Sequence, residues 1–275
     1  MTFNIASSVA IHNKVNDWVQ RVQKNGGATP SFYTINALST FYRGLDNANL
    51  TNKIKSLNAF VPDNLIAAIT PLVNTYGNTP WTNNGFVTSD LTIAGLKSDG
   101  STKYLDSGIN PSVCMITGSG GTSIYCTQDA NTHAVGNEVG VWTINAAGPT
   151  FSAYLNADAT YNYFDCWNYV GGRIRATPVG VLGFYSFNRT STTDSNICRA
   201  NSTSPYQVLG FGTGQTNIGA PPNVSCYVFR MNGNATITTK RFSCVAFHDG
   251  LSLVDGKAFY DLIQSMRQQL GGGYV

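Results

Sequence analysis

VGVWTINAAGPTFSAYL (residues 139–155) holds two short runs, 139–144 and 151–155, parted by Asn145, Gly148 and Pro149. Alternating or apolar runs of this length fit strands, and Gly, Asn and Pro interrupt them where the chain reverses. The same texture begins after Asn83-Asn84-Gly85 and recurs roughly every 8–12 residues. It returns at 113–116, 179–187, 206–211, 226–231 and 242–247. Many short strands at that spacing predict an antiparallel sandwich or barrel, with about a dozen strands in two sheets of roughly six each.

The flanks read differently. Ile11, Val15, Trp18, Val19 and Val22 recur at helical intervals, with Lys14, Asp17, Arg21 and Lys24 on other faces. Gly26-Gly27 ends that helix and Pro30-Ser31 begins a second, striped by Ile35, Leu38, Phe41, Tyr42 and Leu45. A third, short helix is predicted with Asp63 as its cap. Near the end, Ser252-Leu253-Val254-Asp255 resembles a capping box with Asp in the usual Glu position. Ala258, Phe259, Leu262, Ile263, Met266 and Leu270 then form one apolar face, which must dock on something. The predicted class is α+β, mainly β. Residues 1–82 read as a helical N-terminal attachment region, and residues 83–275 as an antiparallel β-sandwich closed by a docked helix.

Composition narrows the function. Charged residues are 11% of the 275, less than half the roughly 25% of an ordinary domain. Asn, Thr, Ser and Tyr take their place. No run approaches the ~18 apolar residues of a spanning helix, so no membrane role is expected. The net charge of +3 is not gathered into a basic stripe, and no nucleic-acid partner is expected. No secretory signal is read at the start, so the six cysteines are expected to be reduced, buried thiols.

Three stretches carry a family resemblance. WVQRVQKNGGATPS with INALSTFYRGL and KIKSLNAFVPDNLIAAITPLV resembles a helical leader of structural proteins of tailed bacteriophages. GLKSDGSTKYLDSGINPS (residues 95–112) resembles the opening strand of a concanavalin A-like, laminin-G-type sandwich. AFHDGLSLVDGKAFYDLIQSMRQQLG (residues 246–271) resembles its last strand and terminal helix. The resemblance implies a non-enzymatic virion structural protein that decorates a head or tail, assembled in the host cytoplasm. Its implied partners are capsid or tail subunits, with the chain itself a homo-oligomer in the particle. A second reading is an adhesin that binds host surface polysaccharide, and a third a glycan depolymerase.

Candidate chemistry follows from residue type. The glucanase branch of this fold uses E-x-D-x-x-E, and retaining hydrolysis needs two carboxyls about 5 Å apart. This chain has one glutamate, Glu138, so no enzyme is expected. For carbohydrate, the richest segment is Tyr161, Asn162, Tyr163, Asp165, Trp167, Asn168 and Tyr169, which offers rings for sugar faces and polar groups for hydroxyls. The competing reading is a strand whose alternate rings fill the core. No cofactor is expected. Calcium is the one ion the resemblance admits, at Asp129, Asn131 and Glu138, against an ordinary polar loop. His248 reads as a satisfied histidine at a strand end.

Overall fold

The computed structural model describes residues 10–128, 138–142, 148–156, 161–168, 171–177, 180–215, 219–273 and 275. In chain order the first elements are α1 (Asn13–Lys24), α2 (Phe32–Asn47), β1 (Ile54–Asn58), α3 (Leu65–Ile69), β2 (Val73–Asn74), β3 (Thr82–Asn84), β4 (Leu91–Thr92), β5 (Gly95–Lys97), β6 (Tyr104–Asp106) and α4 (Pro111–Cys114). Then come β7 (Gly120–Gln128), β8 (Val139–Trp142), β9 (Thr150–Tyr154), β10 (Asn162–Cys166), β11 (Arg173–Ala176), β12 (Gly183–Arg189), β13 (Ser195–Asn201) and β14 (Ser204–Gly212). The chain closes with β15 (Tyr227–Val228), β16 (Arg230–Asn232), β17 (Arg241–His248) and α5 (Leu253–Gln269).

These strands form a sandwich of two sheets. The larger, of nine strands, runs β14-β13-β12-β7-β17-β1-β2, with β5 on β17 and β4 on β5. The smaller, of eight, runs β11-β10-β9-β8-β15-β6-β3, with β16 beside β8. Among the described residues, every strand pairing is antiparallel except that of β16 with β8. The sheets therefore exceed the expected six strands apiece. Strands of two or three residues, such as β2, β4 and β15, are too short to leave a periodic pattern.

Alternation along the larger sheet separates two cores. Ile124, Cys126, Tyr185, Phe187, Val245 and Phe247 point inward, against Val139, Val141, Phe151, Phe164 and Ile174 of the smaller sheet. The intervening Tyr125, Phe184, Cys244 and Ala246 point outward into a second core with Trp18 of α1, Phe41 of α2 and Phe259 of α5. The predicted helix stripes thus land on a sheet. Phe259 meets Phe184 and Phe41 at ring-centroid distances of 6.0 and 6.5 Å. The layers are helices, nine-stranded sheet, eight-stranded sheet. Among the described residues, no helix joins the small cluster on the far face of the smaller sheet, where Tyr154, Met231, Trp142 and Tyr163 meet.

The segment up to residue 82, read as helical, also supplies strands. Within it β1 pairs with β17, setting Leu57 opposite Ala246 and Asn58 opposite Val245. Five residues between helices carry too short an alternation to be read alone, and the exposed ladder of β17 decides their conformation. Caps follow the prediction at Ser31 and Ser252, whose hydroxyls accept from the Thr34 and Asp255 amides at 3.2 and 3.1 Å. Asp63 differs. Its carboxylate takes the Ser31 amide at 2.6 Å and the Thr34 hydroxyl at 2.6 Å, bracing the start of α2. Asn64 caps α3 instead, accepting from the Ala67 amide at 2.9 Å.

All six cysteines are free and buried. Burial pushes the Cys114 thiol up to about 11 and that of Cys166 to about 12, so both stay protonated at neutral pH. His248 is fully buried at the end of β17. Its Nδ1 lies 2.7 Å from the Asp249 carbonyl, which can only accept, so Nδ1 carries the proton and Nε2 accepts from the Ser123 hydroxyl at 2.8 Å. Desolvation pushes this imidazole down to about 4, from 6.5. The unfolded chain binds the extra proton between those values. His248 therefore contributes stability that is complete above pH 6.5 and lost as pH falls through 4. Thermal midpoints measured across that window should fall for the native chain, and a His248→Gln chain, lacking the titration, should show a flatter profile.

Candidate functional site

The face of the smaller sheet that points away from the core is built by strand alternation. On β10, Phe164 and Cys166 join the core, so Tyr163 and Asp165 point outward. On β9, Phe151 and Ala153 point in, leaving Ser152 and Tyr154 outward. On β11, Ile174 and Ala176 point in, leaving Arg173 and Arg175 outward. Register then aligns the groups. Asp165 stands opposite Arg173, and Tyr163 opposite Arg175 on one side and Tyr154 on the other.

The result is a band of rings interleaved with guanidinium groups. Tyr161 and Tyr163 are 5.9 Å apart, and Tyr163 meets Tyr154 edge-on at 6.2 Å. Arg173 lies 4.4 Å above the Tyr163 ring, and Arg175 lies 5.7 Å from that of Tyr161. Further across, Arg230 lies 4.9 Å over Tyr104, which packs at 5.0 Å on Tyr227. Tyr161, Tyr163, Trp142, Tyr104 and Tyr227 are all half-buried, so each residue keeps part of its surface in water.

Beneath the band, Arg173 grips Asp165 through two bonds, Nε to Oδ1 at 2.5 Å and Nη2 to Oδ2 at 2.6 Å. The Ser152 hydroxyl adds a third at 3.1 Å. Burial pushes the Asp165 carboxyl up from its usual range, and the guanidinium opposes it. This pair fixes the Arg173 plane above Tyr163, a bidentate geometry that a lysine would not reproduce.

The carbohydrate residues expected from sequence are divided by this geometry. Tyr161 and Tyr163 lie on the open face. Asp165 sits under that face, wholly buried and engaged by Arg173, so it cannot reach a ligand directly. Asn162 faces inward and is fully buried, with its side-chain oxygen accepting from the Asn156 amide at 2.8 Å. Trp167 is also fully buried. Strict alternation would put it beside Tyr163 and Asp165, but its φ of 72° breaks the alternation and turns the indole inward. There it stacks on Phe151 at 5.4 Å and donates to the Thr117 carbonyl at 2.7 Å. Asn168 is half-buried and its side-chain oxygen accepts from the Gly171 amide at 3.2 Å. Tyr169 lies outside the described residues. Sequence reasoning missed Trp142, Tyr154, Arg173 and Arg175, although alternation in the run 151–155 marks Tyr154 as facing opposite to Phe151.

Of the residues considered for calcium, the described one, Glu138, is already engaged by a cation. The Glu138 carboxylate is fully buried and takes Lys240 Nζ at 2.7 Å, the Leu155 amide at 2.8 Å and the Thr238 hydroxyl at 3.4 Å. An ammonium already fills the place where a metal would sit. Burial pushes this carboxyl up, and Lys240 opposes the shift. Asp129 and Asn131 lie outside the described residues. Among the described residues no three His, Cys, Asp or Glu side chains gather for a metal.

No family model matches the chain, and no curated protein matches it. Solved structures do. The chain is similar to the Trypanosoma rangeli sialidase bound to the inhibitor DANA, with a TM-score of 0.50, 8% identity, and 91% of this chain covered. It spans 37% of that sialidase's length. It is also similar to domain 4 of a GH43 extracellular arabinanase from Geobacillus stearothermophilus in complex with arabinotriose, with a TM-score of 0.38, 9% identity, and 76% and 98% of the two chains covered. At such identities the sialidase likeness is one of fold.

Proposed function

We propose that this chain is a non-enzymatic carbohydrate-binding module whose contact surface is the outer face of the smaller sheet. One observation carries the reading. Helices cover the outer face of the larger sheet, while the smaller sheet turns a band of half-buried tyrosines, held in place by arginines, away from the core. Aromatic faces of this kind pack on the C–H faces of sugar rings, and their edges leave hydroxyl and guanidinium groups for sugar hydroxyls. Between the two virion readings drawn from the resemblance, the band favours the adhesin over decoration by subunit packing. The helical leader, by its resemblance to phage structural proteins, supports a virion setting for it.

Binding is also favoured over hydrolysis. The one glutamate is locked to Lys240 inside the protein, and Asp165 is locked to Arg173. Retaining hydrolysis requires a free acid and a free nucleophile. The test is a glycan array probed with the intact chain and with Tyr161→Ala/Tyr163→Ala, followed by viscometry of any polysaccharide that binds. The native chain should bind without lowering viscosity, and the double variant should bind roughly tenfold more weakly, in line with the loss of two stacking contacts. An array silent for the native chain, or a double variant that binds unchanged, defeats the proposal.

A further inference from the structure

The charges on this face specify the ligand further, on the assumption that the face binds glycans as proposed above. Three arginines border the tyrosine band, and they are not equivalent. Arg173 is neutralised by Asp165. Arg175 is exposed, lies against Tyr161, and makes no ion pair with a described carboxylate. Arg230, half-buried over Tyr104, spends its Nε on the Asn234 carbonyl at 2.6 Å and likewise has no described carboxylate partner. Among the described residues, the band therefore ends at each side in a guanidinium with no carboxylate paired to it. Asp106, at the far edge on β6, receives the Gly108 amide at 2.9 Å.

We infer that the ligand is an acidic polysaccharide, running across the strands, with carboxylates paired to Arg175 and Arg230 and sugar rings stacked between them. Arg175 is on β11 and Arg230 on β16, which are separated by β10, β9 and β8. Four strand spacings put them roughly 19 Å apart. That span exceeds any single sugar ring, so only a chain of several sugars reaches both. A planar guanidinium also matches a carboxylate in two parallel bonds, which favours uronic acids over neutral sugars.

The test uses the full chain, with polygalacturonate oligomers and the same oligomers after complete methyl esterification, by calorimetry at low and high salt. The acid form should bind about tenfold more tightly than the ester. That preference should shrink as salt rises, because the face is open to ions. Arg175→Gln, on an exposed side chain, should remove most of the preference, read as the ratio of acid to ester affinity falling toward one. Galacturonic acid monomer should bind far more weakly than the oligomers. If acid and ester bind alike, or if Arg175→Gln keeps the full preference, the acidic ligand is excluded while carbohydrate binding itself stands. If neither form binds and neutral glycans on the array are also silent, both the ligand class and the binding reading fall.

Discussion

Replacing Lys240 with Met should lower the folding free energy by about 3–5 kcal/mol, a thermal midpoint roughly 6–20 °C lower. The cause is the carboxylate left behind. Glu138 has no exposed surface, and Lys240 supplies the nearest positive charge at 2.7 Å. Without it, two remaining bonds, from Leu155 and Thr238, face a buried anion. The pH dependence identifies the mechanism. Burial already raises the Glu138 carboxyl above its ordinary 4.5, and loss of Lys240 raises it further. A carboxyl whose pKa is raised by folding contributes stability that is present below its unfolded value and is lost as pH rises through its folded value. The Lys240→Met deficit should thus be small at pH 4 and grow toward neutrality. Adding Glu138→Gln, which removes the charge, should recover most of the loss at pH 7. An equal deficit at every pH would show that packing, not charge, is responsible.

Trp167→Ala should be comparably damaging, at about 3–5 kcal/mol by urea unfolding. The ring has no exposed surface, stacks on Phe151, and leaves no space beside Gly120, where a Cβ would come within 2.6 Å of it. Its removal opens a cavity between the sheets and strands the Thr117 carbonyl. Tyr163→Ala makes the contrast. Its ring is half-buried on the outer face, so its loss should cost well under half as much stability while reducing sugar binding. A Trp167→Ala chain of native stability that had lost only binding would mean that the indole, not Tyr163, is the contact surface.

These two residues also show what sequence can and cannot convey. Period-2 and period-3.6 patterns reflect local geometry, so the sandwich, the helix stripes and the caps at Ser31 and Ser252 were readable from neighbouring residues. The Glu138–Lys240 pair spans 102 positions and depends on how β8 meets the segment before β17, which no local pattern encodes. Trp167 fails for a different reason. A single positive φ reverses the face that alternation assigns, and nothing in Asp165-Cys166-Trp167 announces it. Arg173 was within reach, because the β10–β11 hairpin sets it opposite Asp165, but its role appears only once that pairing is known. The open face of the smaller sheet could not be read at all until the helices were seen to occupy the other one.

The most direct measurement is heteronuclear NMR of the intact chain during titration with an oligosaccharide identified on the array. The shifts should concentrate on Tyr154, Tyr161, Tyr163, Arg173 and Arg175, with Phe41, Phe184 and Phe259 on the helix-covered side undisturbed. Shifts gathered on the helical layer, with the tyrosine band unmoved, would contradict the account.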